Sequence, residues 1–323
     1  IILGAGMYKV RFVLFITIAL VIIACGGGAA QTAVIPSHKD STSTPQKSAS
    51  HATQPPTNAT QVSNTAVPRP TLAADEWKNL PIVPTVSDTV LEIYRHGLEL
   101  GNDPNAFSKV GDCQTSTDFF LVGFDHPDQY GLGQDYAYLQ STIDYYEGSF
   151  SRQSLAVKDG FNVAAVLSPL RADPKKCNQG ETPLACEIRL NHPSVVLISM
   201  ETNFNQQSAE KYGTYMRQIV EYSISQGVIP ILGTKADNIE GNNSINAEIA
   251  EIANEYDIPL WNFWAAAHPL PNNGFDLSLN DGFHLSVGKS YYFDNPANME
   301  RAWPVRNLTA LQVLDAVRSK INK

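Results

Sequence analysis

The chain has 323 residues, 43% of them hydrophobic, and its 23 Lys+Arg against 32 Asp+Glu give a formal net charge of −9. That much apolar material can build a core, while the acidic balance, with no basic run longer than Lys175-Lys176, argues against a nucleic-acid partner because such a surface repels phosphate backbones. Composition is uneven along the chain: a largely apolar leader comes first, Gly26 to Ala74 hold no Phe, Trp or Tyr, and about 250 residues remain for a single domain.

Met7 reads as the start, and Lys9 and Arg11 then precede the uncharged run Phe12 to Ala24. That run has the length of a signal-peptide h-region and falls short of the roughly 20 apolar residues of a spanning helix. It ends at Ile22-Ile23-Ala24-Cys25 followed by three glycines, which resembles a bacterial lipobox. The resemblance implies a signal over residues 1–25, lipid on Cys25, and an extracytoplasmic lipoprotein held at the cell membrane; a plain signal peptide or an uncleaved anchor are the alternatives. Residues 26–74, rich in Ser, Thr, Pro, Ala and Gln, cannot bury enough apolar surface to offset their ordering entropy, so they read as a disordered tether to the domain at 75–323. Outside the cytoplasm, Cys177 and Cys186, nine apart in a stretch rich in Pro, Gly and Asn, are expected to form a disulfide. Cys113 is then the odd thiol, either an inert buried cysteine or a reactive one, as its position decides.

Within the domain, Glu92 to Leu100 suits a short helix. From Phe107 onward, short apolar runs alternate with longer amphipathic ones, the pattern of a parallel sheet covered by helices on both faces. Five strands are predicted: Phe107 to Val110, Ser154 to Val157, Ser194 to Ser199, Val228 to Leu232 and Ile258 to Phe263. Helices are predicted at Ala209 to Gln226, whose apolar stripe is Tyr212, Tyr215, Met216, Ile219, Val220 and Ile224, and at Ile245 to Tyr256 and Leu308 to Ile321. Ligands in such folds sit beyond the carboxyl ends of the strands. The segments there are Gly111-Asp112-Cys113-Gln114, Lys158-Asp159-Gly160, Met200-Glu201-Thr202-Asn203 and Gly233-Thr234-Lys235, joined by the late loop Asn280-Asp281-Gly282-Phe283-His284.

Asp281 and His284 are three apart, which suits one turn placing a carboxylate against an imidazole, so that the second ring nitrogen can take a proton from a nucleophile. The same spacing also suits a capping pair or half of a metal site. Gly111-Asp112-Cys113, Gly160, Asn203 and Asp281-Gly282-Phe283-His284, in that order, resemble the four blocks of SGNH/GDSL-type hydrolases, over roughly Phe107 to the C-terminus. The resemblance implies a flavodoxin-like α/β/α three-layer sandwich and ester hydrolysis with neither cofactor nor metal. It puts Cys113 where the family has its nucleophilic serine, makes His284 and Asp281 its partners, and gives the oxyanion hole to Cys113, Gly160 and Asn203. Structural alternatives are a tight turn at Gly160 and a helix N-cap at Asn203.

Cys113 for Ser is the largest departure from the family pattern; Glu201 and Phe204 stand where Gly and Asp are usual. A thiol paired with His284 is a sound nucleophile, yet a site shaped around serine can misplace the larger sulfur. The alternatives are an inactive glycan- or ligand-binding descendant, or Ser116 as nucleophile, with Asp112 bracing the loop. Asp118 to Phe150, rich in Tyr, Phe and Asp, suits either a sugar cleft or a packed insertion. The His-Pro pairs at His126, His192 and His268 read as surface loops, and no His/Cys cluster has zinc-ligand spacing. The expected partners are a small-molecule or carbohydrate ester as substrate and the membrane through its lipid anchor, with the chain a monomer.

Overall fold

The alternation of strand and helix is present in the computed structural model, which describes residues 69–200, 202 and 208–323. In chain order the elements are α1 (Thr89–Glu99), β1 (Asp103–Gly111), α2 (Cys113–Ser116), α3 (Gln140–Tyr145), α4 (Pro183–Asn191), β2 (Pro193–Ser199), α5 (Ala209–Ser225), β3 (Ile229–Gly233), α6 (Ser244–Glu255), β4 (Leu260–Trp261), α7 (Phe263–Ala267) and α8 (Ala302–Ile321). The strands form a parallel sheet in the order β1-β2-β3-β4. Every residue of β2 and β3 is buried, as expected for strands covered on both faces. Helices α5 and α6 pack on each other and on β3, while α8 packs against α1, α3, α7 and β4.

Five strands were expected, and four form among the described residues. Ser154 to Val157 makes a single parallel bridge, Val157 to Gly111, at the outer edge of β1. Side chains explain the shortfall, because they take most of the edge groups that a fifth strand would pair. Arg152 Nη2 donates to the Phe107 carbonyl, Ser154 Oγ to the Lys109 carbonyl at 2.6 Å, and the Phe107 N–H donates to Ser149 Oγ at 3.2 Å. Backbone pairing is confined to Gly111, whose N–H donates to Ala156 O at 3.2 Å and whose carbonyl accepts from Lys158 N at 3.3 Å. Edge groups need partners, and polar side chains serve as well as a strand.

Glu187, fully buried on α4, stiffens this edge. Its carboxylate accepts from Ser108 Oγ at 2.6 Å and from the Leu155 N–H at 2.7 Å, with Arg152 at 4.0 Å. Lys109, also buried, donates to Phe150 O at 2.8 Å; burial draws its pKa down to about 8.

Of the predicted stripe of α5, Tyr212, Met216, Ile219 and Val220 are buried and Tyr215 and Ile224 pack half-buried at its margin; Ser208 Oγ caps the first turn by accepting from Lys211 N. Helix α8 begins at Ala302, six residues before the predicted start, because Pro304 lies in the first turn, where no intrahelical acceptor awaits its missing N–H. Ser286 anchors this end, its Oγ accepting from Ala302 N at 2.9 Å and its carbonyl from Trp303 N at 3.2 Å. Helix α4 was not foreseen; Thr182 caps it and Pro183 opens it.

Part of the stretch Asp118 to Phe150 packs inward, while Phe119 and Tyr138 stay exposed. Phe120, Phe124, Tyr146 and Phe150 are buried, and edge-on ring contacts link Phe107, Tyr146, Phe150, Phe124 and Tyr291. Upstream of the domain boundary, Arg69 pairs with Asp257, Pro70 O accepts from Asn254 Nδ2 and Leu72 N donates to Glu251, so this segment lies along the end of α6. Among the described residues no helix is long and apolar enough to cross a membrane.

Candidate active site

The carboxyl ends of β1 and β2 lie side by side, with Gly111 opposite Ser199. A Cβ at Gly111 would collide with Thr115 Oγ1 and the Ser199 carbonyl, so glycine lets the chain turn directly from strand to α2. Cys113 opens that helix, half-buried and outside the disulfide. Asp112 sits at its N-cap, with Oδ1 accepting from Gln114 N at 3.0 Å and Oδ2 from Thr202 N at 2.8 Å. One buried carboxylate thus ties the Cys113 turn to the loop after β2, which is the bracing expected of it. Burial pushes the Asp112 pKa up to about 6, against the opposing pull of those two N–H groups and of Arg306.

The second segment meets the same turn. Besides the Gly111–Val157 bridge, the Ser116 hydroxyl donates to Asp159, which engages Ser116 with a carboxylate. Gly160 follows at φ 75°, a left-handed conformation, with open space where a Cβ would project. Asn203, Glu201 and Phe204 lie outside the described residues, as does Cys25; Thr202 is the last described residue before Asn203 in that loop.

The closing loop is built around Asp281. Its Oδ1 accepts from Phe283 N at 3.1 Å and from His284 N at 3.0 Å, while Oδ2 lies 2.5 Å from His284 Nδ1. Partial burial pushes the Asp281 pKa up, but the backbone and imidazole hydrogen bonds outweigh it and hold the carboxyl below its usual range. An ionised carboxylate only accepts, so His284 donates from Nδ1 and a neutral ring keeps its Nε2 lone pair. Asp276 N donates to His284 O at 2.9 Å, Phe275 bridges Leu285, and the Phe283 ring lies 4.3 Å from the imidazole, so the loop is fixed on both sides.

Gln114 joins the two halves: its Nε2 donates to the Phe283 carbonyl at 2.8 Å in a buried bond. The residue after Cys113 is therefore bonded to the residue before His284. Sequence reading passed over Gln114, since an amide beside a candidate nucleophile carries no motif.

Arg306 was passed over as well. It is buried on α8, with its guanidinium carbon 4.6 Å from the Phe120 ring centre, 4.8 Å from Phe263, 5.0 Å from Trp261 and 5.9 Å from Trp303. Its Nη2 donates to Ser199 Oγ at 2.9 Å, and burial lowers its pKa to about 10, which leaves it charged at neutral pH.

Away from this end of the sheet, Cys177 and Cys186 form the expected disulfide, with Cα atoms 5.3 Å apart. Cys186 lies on α4, so the bridge ties the preceding loop to a helix. Glu181 stands close to both sulfurs, but these are bonded to each other and Glu181 pairs with Arg189 at 2.6 Å, so the group is not disposed to hold a metal. His192 and His268 are exposed, and His268 stacks on Trp264. In comparisons with known proteins, no family model and no curated protein matches the chain.

Proposed function

We propose that this chain is an SGNH-like ester hydrolase with a cysteine nucleophile, its α/β sheet and helices forming the three-layer sandwich that the resemblance implies. The observation that carries the reading is the bond from Gln114 to Phe283 O, which brings the Cys113 turn to a histidine whose Nδ1 is already held by Asp281. Cys113 is preferred to Ser116 because a thiol is intrinsically the better nucleophile and its neighbour Gln114 is bonded to the residue before His284.

In this reading the Cys113 sulfur attacks the ester carbonyl carbon while its proton passes to His284 Nε2. The C–O bond then breaks, the alcohol leaves with that proton, and an acyl thioester remains on Cys113. Water, deprotonated by His284, attacks the thioester; the acid departs and the thiol is restored. Asp281 holds the tautomer throughout and stabilises the imidazolium. The N–H groups of Cys113 and Gly160 and the side-chain amide of Asn203 are assigned to the oxyanion, where loss of a single donor typically costs about 100- to 1,000-fold.

The substrate in this reading is an ester of a small molecule or of a carbohydrate, with an acyl or acetyl group removed. Of the nine Phe and Tyr rings in the Asp118 to Phe150 insertion, Phe120, Phe124, Tyr146 and Phe150 are buried, whereas Phe119 and Tyr138 are exposed and available to a sugar. Lipid on Cys25, the tether and the extracytoplasmic address belong to the same proposal. The test is hydrolysis of p-nitrophenyl acetate and butyrate by the purified protein, its Cys113→Ala variant and its Cys113→Ser variant. Turnover abolished by alanine and by thiol alkylation supports the reading. Turnover unchanged by alanine removes Cys113 from the mechanism, and silence from the wild type and the serine variant alike favours a ligand-binding descendant of the fold.

A further inference from the structure

We propose that Arg306 is a positioning residue for the nucleophile turn: a caged cation that keeps the Asp112 clamp in its charged, hydrogen-bond-accepting form and favours the thiolate of Cys113. The inference rests on the reading of Cys113 as the nucleophile and gives that sulfur a second source of activation beside His284.

The placement is specific. Arg306 is 1% exposed, and its guanidinium lies among four aromatic rings and is bonded to Ser199 Oγ. Ser199 is the register partner of Gly111, and its carbonyl accepts from Thr115 Oγ1 at 2.8 Å. The cation therefore lies beneath the point where β1 hands the chain to the Cys113 turn. Among the described residues it forms no salt bridge, and its buried Nε has no hydrogen-bond partner.

The four rings hold the guanidinium by cation–π attraction, yet a buried charge without a contacting counter-ion still loses its hydration. What the charge does act on is Asp112 and Cys113, the two groups whose negative charge it favours. Asp112 must be ionised to serve both Gln114 N and Thr202 N without presenting a proton to either. Other charged groups at this end of the sheet are His284 with Asp281, Asp159 bonded to Ser116, the exposed Lys158, and the buried Lys235 paired with Asp237 and Glu240.

The experiment follows the rate of Cys113 alkylation by iodoacetamide against pH, read by mass spectrometry of the Cys113 peptide, in the wild type, Arg306→Met and Arg306→Lys. Each protein is first checked for cooperative thermal unfolding. The wild-type midpoint should fall below the ordinary thiol value of about 8.5. Methionine should raise it by about one pH unit or more, and lysine should restore most of the difference. A structural role alone would alter the melting temperature and leave the midpoint in place. Equal midpoints in the wild type and Arg306→Met overturn the inference. If the methionine variant does not fold, a wild-type midpoint at or above 8.5 overturns it. Alkylation needs no substrate, so the two readings separate: a midpoint shift in a protein that hydrolyses no ester sustains Arg306 and defeats the esterase, while turnover with unshifted midpoints does the reverse.

Discussion

Replacing Asp281 with Asn would leave the closing loop nearly intact and disable only its chemistry. The amide oxygen can still accept from Phe283 N and His284 N, the two bonds at 3.1 and 3.0 Å that shape the turn. The amide nitrogen, however, now faces His284 Nδ1, where the carboxylate oxygen stood at 2.5 Å. Two donors cannot bond each other, so the ring loses its orientation or shifts its proton to Nε2, the atom that must receive one. In a hydrolase triad this tautomer error costs up to about 10⁴-fold in kcat. The His284 and Asp281 side chains are 33% and 25% exposed, so water can partly replace the lost acceptor. We expect a loss of about 10²- to 10⁴-fold, corresponding to roughly 3–5.5 kcal/mol of barrier, with a stability loss below about 1 kcal/mol. The assay is kcat on p-nitrophenyl butyrate beside a thermal melt. Turnover within about threefold of the wild type, in a protein that melts at the same temperature, would refute the assigned role of the carboxylate.

Asp112 gives a prediction in pH. Its folded pKa of about 6 lies above the ordinary 3.8, so between those values the native state holds a proton that the unfolded state has released. The group therefore opposes folding above pH 6, and that penalty disappears as pH falls below 4. Asp112→Asn should be less destabilising at pH 7.5 than at pH 4, by up to roughly 3 kcal/mol in chemical denaturation; an equal cost at both pH values would contradict the assignment. Glu187→Leu leaves Ser108 Oγ and Leu155 N without their acceptor and Arg152 without its counter-charge, and should cost about 3–5 kcal/mol in urea unfolding. Cys177→Ser should cost roughly 2–3 kcal/mol by removing a nine-residue bridge, and reductant should lower the melting temperature of the wild type but not of the variant.

What could be read from the sequence was whatever depends on one segment at a time. Ser194-Val195-Val196-Leu197-Ile198-Ser199 is a strand by composition, and the stripe Tyr212, Met216, Ile219 and Val220 gives α5 its buried face. Asp281 and His284 are paired by a local turn, so three-residue spacing was enough to suggest their contact. The second predicted strand failed for a tertiary reason: Ser149, Arg152 and Ser154 occupy the β1 edge with side chains, and an apolar run of four residues does not disclose that. Arg306 was hidden for a related reason. An arginine within Trp-Pro-Val-Arg-Asn-Leu reads as solvent-facing until rings from several distant parts of the chain close around it. Gln114 gains meaning only once the closing loop is laid against β1.

The central claim is that the Cys113 sulfur forms a covalent bond to an acyl group with His284 as its base. Acid-quenching the protein during turnover of an activated acyl ester, then mapping the added mass by peptide mass spectrometry, tests it most directly. The account predicts one acyl group on the Cys113 peptide, released by hydroxylamine and absent from His284→Ala. Turnover of the ester with the acyl group found on Ser116, or with Cys113 unmodified while alkylation of its thiol leaves the rate unchanged, would contradict it.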